Sequence, residues 1–234
     1  VERLFFWGDP TFILLIPAIL LSLYAQFKVQ ATFEQYSRIP SRRGLTGAQV
    51  AREILDRAGL HDVRVEMVQG FLADHYDPRS KVLRLSPAVF QSSSLASLGV
   101  AAHEAGHALQ HRTGYIPLHI RSSLVPLVSF GSNLAIPLLI LGFILGMPSL
   151  ARLGVYAFLL VVLFSLITLP VEFNASRRAV ALLQSGGYLI GQEIRGAREV
   201  LNAAALTYVA AALAAILNLL RLMLLVGFFG RREE

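Results

Sequence analysis

The chain has 234 residues, 55% of them hydrophobic and 15% charged, with a mean hydropathy of +0.58, a balance too apolar for an ordinary soluble domain. Its net charge of +6 would suit nucleic acid or anionic lipid, but the arginines are scattered with few aromatics among them, which argues against nucleic acid and for lipid headgroups. With no cysteine, a disulfide framework and a thiolate metal site are both excluded.

Asp9 and Pro10 read as N-cap and first helical position of an apolar run that reaches about residue 28. The run is long enough to span a bilayer, so residues 9–28 are the first expected transmembrane helix, with Pro17 expected to kink it. No basic cluster precedes it and no small-x-small site follows Tyr24, which favours a retained anchor over a cleaved signal peptide. Residues 29–123 are polar. Within them, 38–44 (RIPSRRG) reads as an exposed linker, and Thr46 with Gln49 makes a capping-box pattern for a helix that stops at Gly59. The alternation of Val63, Val65 and Met67 predicts a strand, residues 76–81 a turn, and residues 82–85 a second strand, together a small β-hairpin. Ser86 and Pro87 start a short helix. A strand just ahead of the next long helix is placed to bind an extended peptide by edge pairing; burial in the core is the competing reading.

That next helix, residues 94–112, carries His103, Glu104 and His107 in an HExxH pattern. One helical turn separates the two histidines, so both imidazoles face one metal ion, and Glu104 lies about 100° round the helix, within reach of a water held beside the metal. Two neutral nitrogens, an open position and a carboxylate base are what catalytic zinc requires. The plainer reading is a solvated helix face, but Ala101, Ala102, Ala105, Gly106 and Ala108 are small side chains suited to close packing. His111 continues the spacing but lies about 12 Å along the axis from His103, too far to share an ion. The better third donor is Glu172, in the segment PVEFNASRRA; a boundary carboxylate paired with Arg177 or Arg178 is the alternative.

Residues 124–147, broken by Pro126 and Pro137, form the second expected span, and 150–169 the third after a turn at Pro148 and Ser149. Pro170 is expected to redirect the helix into a cytoplasmic helical segment, 170–202, before a fourth span at 203–229. Four spans put both polar segments on one side of the membrane. Residues 28–124 and 172–202 hold 16 of the 21 Lys and Arg, which makes that side cytoplasmic. Arg3, Arg152, Arg231 and Arg232 fall on the other side, and Arg221, inside the last run, is expected to snorkel or to pair with Asp9.

The segments GLTGAQVAREILDRAGL, DHYDPRSKVLRLS, AAHEAGHALQH, YIPLHIRSSLVP and PVEFNASRRA together resemble the bacterial membrane-bound neutral zinc metallopeptidases of the YugP type, across nearly the whole chain. The chain is similar, more distantly, to the HtpX-type and CAAX prenyl membrane proteases. The resemblance implies a gluzincin-like site with His103, His107 and Glu172 as ligands of one Zn2+ per chain and Glu104 as base. The HtpX-type pattern has aspartate at Ser176 and the YugP-type pattern often has it at Asn174, so either residue here is a weaker acceptor for a ligand histidine. The expected fold is a mainly α integral membrane protein, four transmembrane helices with a cytoplasmic α+β zincin-like domain.

The expected function is a zinc-dependent endopeptidase of the bacterial inner membrane, cutting peptide or protein substrates, membrane proteins among them, at the cytoplasmic face. Candidates for steadying the oxyanion are His75, Tyr76 and Arg177. A non-catalytic zinc-bound scaffold or chaperone-like protein is the alternative from another class. Cleavage within the bilayer fits less well, because the run around HExxH has too few uninterrupted apolar residues to span.

Overall fold

A computed structural model describes residues 10–70 and 73–230. Seven α-helices and three short strands follow in the order α1 (Ile16–Ser37), α2 (Gly47–Arg57), β1 (Arg64–Met67), β2 (His75–Asp77), β3 (Val82–Leu85), α3 (Pro87–Phe90), α4 (Leu95–Arg112), α5 (Ile116–Ile144), α6 (Pro148–Ser185) and α7 (Gln192–Gly230), among the described residues. The chain divides into two compact units: one of residues 1–24, 120–169 and 208–234, the other of 25–119 and 170–207.

The first unit is apolar. Among the described residues, four helices are long and apolar enough to cross a membrane, at Pro10–Ser37, Ile116–Ile144, Pro148–Ser185 and Gln192–Gly227. Large apolar side chains such as Ile140, Leu141, Leu153 and Leu163 lie exposed, an arrangement that water penalises and lipid does not. Inside the unit, Leu139, Ala151, Val155, Leu222 and Val226 form a core. Pro10–Leu15 is a tight 3-10 turn that becomes α1 at Ile16, so the change of helix type falls next to Pro17. The expected N-cap Asp9 and the basic residues Arg3, Arg231 and Arg232 lie outside the described residues. Arg221 places its guanidinium 5.9 Å from the centre of the Phe12 ring, a cation–π contact that lowers the cost of its charge among apolar side chains.

The expected breaks at Pro126 and Pro137 are absent. Pro126 and Pro137 lie inside an uninterrupted α5, and Pro170 lies inside α6, which therefore joins residues that the sequence divides into a span (150–169) and a separate segment (170–202). Each proline removes one internal hydrogen bond without ending its helix.

The second unit is built on a core of Val50, Ile54 and Leu55 from α2, Leu83 and Leu85 from β3, Leu98 and the alanines of α4, Leu183 near the end of α6, and Tyr188 and Leu189 just after it. Thr46 and Gln49 close the capping box that starts α2, and Gly59, at φ +68°, follows its end. The strand order is β1-β3-β2, with β3 parallel to β1 and antiparallel to β2. This corrects three expectations. The two strands expected to form the hairpin, β1 and β3, run parallel, and the antiparallel pair is β2 with β3. Tyr76 and Asp77 belong to a strand, with Tyr76 opposite Leu83, and the turn shrinks to the four residues that follow. Asp77 closes that turn by accepting from the Arg79 amide and the Ser80 hydroxyl. The strand expected to be free for edge pairing, β3, is central, with both sides occupied, and β2 is an edge.

Residues 38–44 are largely exposed, as expected of a linker, yet they are held down. Leu95 donates to the Ile39 carbonyl and Ser41 to the Ser93 carbonyl, so this stretch lies along the approach to α4.

Candidate metal centre

Helix α4 begins where the Ser94 hydroxyl accepts from the Ser97 amide, and it is buried along most of its length. The burial follows from its small residues: Ala101, Ala102, Ala105 and Ala108 are fully inaccessible, which lets neighbouring helices approach its backbone. One close approach is at Gly106, where an added Cβ would lie 2.9 Å from the Ala175 carbonyl oxygen of α6. Because α4 and α6 touch there, Glu172, one turn before Ser176, meets the two histidines.

The contact is tight. His103 Nε2 lies 3.1 Å from His107 Nε2 and 3.2 Å from Glu172 Oε2, and His107 Nε2 lies 3.5 Å from the same oxygen. The two rings stand edge to face at 87°. Donors set tetrahedrally around an ion at about 2.0–2.1 Å would stand about 3.3 Å apart, close to all three separations. Two imidazole nitrogens and one carboxylate oxygen are a donor set that suits zinc, and one tetrahedral position remains for water or substrate. Glu104, adjacent to His103 in sequence, is also buried.

The outer nitrogens of both rings are engaged. Ser176 Oγ lies 3.1 Å from His103 Nδ1, and Gln110 Oε1 lies 2.9 Å from His107 Nδ1. Burial pulls the His107 imidazole down, but contact with the Glu172 carboxylate, the charge of Glu104 and the Gln110 bond raise it by more, leaving it above the usual histidine range.

Of the residues singled out in the sequence, His103, His107 and Glu172 converge, and Ser176 supports them directly. Asn174 acts at one remove, accepting from Gln110 and from Arg178. The remaining candidates are engaged elsewhere. His75 uses Nδ1 on the Ala73 carbonyl, and the Tyr76 hydroxyl lies 3.0 Å from His111 Nδ1, at the helix end where His111 was expected. Arg177 donates to the Phe173 carbonyl. It also lines a cleft of about 680 Å3 between α6 and α7, with Ser176, Gln184, Arg198, Leu201 and Asn202. Gln110 is the residue the sequence reading missed. Its only signal was a lone amide three positions after His107 on a helix otherwise lined with small residues.

Comparison with known proteins agrees with this site. The family described as "Putative neutral zinc metallopeptidase" matches residues 11–227. The chain belongs to that family. A relative from Bacillus subtilis (strain 168), "Putative membrane protease YugP", is 50% identical over 222 residues, covering 94% of this chain and 97% of that protein. No solved structure matches the chain. For this member of the neutral zinc metallopeptidase family, the family description names the metal that the donor triangle of His103, His107 and Glu172 suits.

Proposed function

We propose that the chain is a membrane-embedded, zinc-dependent endopeptidase that hydrolyses peptide bonds at the cytoplasmic face of a bacterial inner membrane, with one Zn2+ per chain. The observation that carries this is the triangle of His103, His107 and Glu172 donors at 3.1–3.5 Å, with a buried Glu104 beside it. When bound, zinc would supply Lewis acidity toward a water and toward the scissile carbonyl.

Every other step falls to the chain. His103, His107 and Glu172 hold the ion in a gluzincin-like set. Glu104 removes a proton from the attacking water, the carbonyl carbon gains that oxygen, and Glu104 passes the proton to the leaving nitrogen as the C–N bond breaks. Ser176 and Gln110 keep the two rings turned inward. The edge strand β2 is available to pair with an extended peptide, and the cleft between α6 and α7 gives room beside Ser176. The concentration of Lys and Arg in residues 28–124 and 172–202 supports the cytoplasmic assignment.

The test is Glu104→Gln in the full chain. Zinc content should match the wild type while cleavage of an unfolded protein such as casein falls by at least about 100-fold. Equal cleavage by the variant, or a wild type that takes up no zinc, would overturn the proposal.

A further inference from the structure

We propose that Gln110 is a positioning residue that fixes the tautomer of His107, leaving the lone pair of Nε2 facing the metal position; this rests on the metal-binding reading above. The inference comes from which atoms can only donate and which can only accept.

Gln110 is fully buried, and its Nε2 lies 2.8 Å from the Val171 carbonyl oxygen. A carbonyl only accepts, so the amide must present its NH2 group there. The same NH2 group lies 3.0 Å from Asn174 Oδ1. That atom is an oxygen because Arg178 Nε, which only donates, lies 2.8 Å from it. Flipping the Gln110 amide would set its oxygen against two other oxygens. Its Oε1 therefore faces His107 Nδ1, at 2.9 Å, and accepts a hydrogen from it. A neutral imidazole with hydrogen on Nδ1 has its lone pair on Nε2, the atom that faces His103 and Glu172.

His103 differs. Its Nδ1 meets the Ser176 hydroxyl, which can donate or accept and so imposes no tautomer. Gln110 also holds the carbonyl of the residue immediately before Glu172, so one side chain sets the protonation pattern of one ligand and the backbone of another.

The experiment compares the full chain in nanodiscs with Gln110→Met, Asn174→Leu and Asn174→Asp. Zinc affinity is read by competition with a chromophoric chelator, and the His107 tautomer by 15N chemical shifts of zinc-free protein above the imidazole titration. Gln110→Met keeps the side chain's length and loses its polarity, and should weaken zinc binding about 10- to 100-fold. Asn174→Asp keeps an acceptor oxygen for both donors and should bind zinc close to the wild type, whereas Asn174→Leu should bind it more weakly. The wild-type His107 should show Nδ1–H, and Gln110→Met a mixture.

Wild-type affinity in Gln110→Met, or an Nε2–H signal from wild-type His107, would overturn the assignment. Should Gln110→Met fail to fold, the two Asn174 variants decide, and equal zinc affinity in them counts against it. A wild type that takes up no zinc defeats the proposed function, and the 15N spectrum then judges Gln110 on its own.

Discussion

Replacing Gly106 with alanine tests whether the approach of α4 to α6 sets the metal centre. The new Cβ would stand 2.9 Å from the Ala175 carbonyl oxygen and 3.4 Å from the Ala175 carbonyl carbon and Cα. All three are backbone atoms, so no side chain can swing aside, and α6 must retreat by about 0.5 Å to reach ordinary contact. Overpacking of this kind costs about 1–3 kcal/mol, against a gain of roughly 1 kcal/mol in helix propensity. Metal ligands tolerate displacements of only about 0.2 Å, and Glu172 lies three residues from Ala175 on the helix that moves. Gly106→Ala should therefore weaken zinc binding by at least about 10-fold, measured by chelator competition, while the zinc-free protein melts within a few degrees of the wild type. Gly99→Ala is the control. Its Cβ would meet Ala197 at an ordinary 3.5 Å, so zinc affinity should be unchanged and stability equal or higher. Full zinc affinity in Gly106→Ala would refute the claim that this helix approach positions the acid.

The raised His107 makes zinc binding depend on pH. In zinc-free protein its proton contributes stability that is fully present below the unfolded value near 6.5 and is lost as pH rises through the raised folded value. Zinc requires the neutral ring, so apparent affinity should climb with pH across that window while the zinc-free melting temperature falls; a flat affinity from pH 5.5 to 8.5 would contradict this. Tyr76, pushed up to about 12 by burial and by Asp62 and Asp77, stays protonated and shares a hydrogen bond with His111. Tyr76→Phe should cost about 1 kcal/mol of stability and leave both zinc affinity and cleavage unchanged. Loss of cleavage with normal zinc content would instead make the hydroxyl part of the catalytic machinery.

The candidate site was legible where residue type and helical spacing suffice. His103 and His107 lie one turn apart on an alanine-rich helix, and Glu172 was the available acid at the head of a segment rich in polar groups. The apolar runs were legible for the same reason, since length and hydropathy determine what can span. Less was legible where tertiary contacts override local signals. Asp77 and Pro78 read as turn residues, yet Tyr76 pairs opposite Leu83 and its hydroxyl reaches His111, which extends a strand into that stretch. Pro170 read as the point where the third span gives way to a separate segment, but one helix, α6, runs through it. Gln110 carried only the weak signal of a lone amide, because its role depends on acceptors 61 and 64 positions away.

One consequence follows from Pro170. Lacking an amide hydrogen, it leaves the Leu166 carbonyl, four positions earlier, without its helical donor. Two outside donors grip the turn that follows, which carries the acid: the Tyr115 hydroxyl at the Pro170 oxygen, 3.4 Å away, and Gln110 at the next carbonyl. They act as a splint, so loosening this turn and losing the third ligand become a single event, one that amide exchange around residues 171–175 can follow without any substrate.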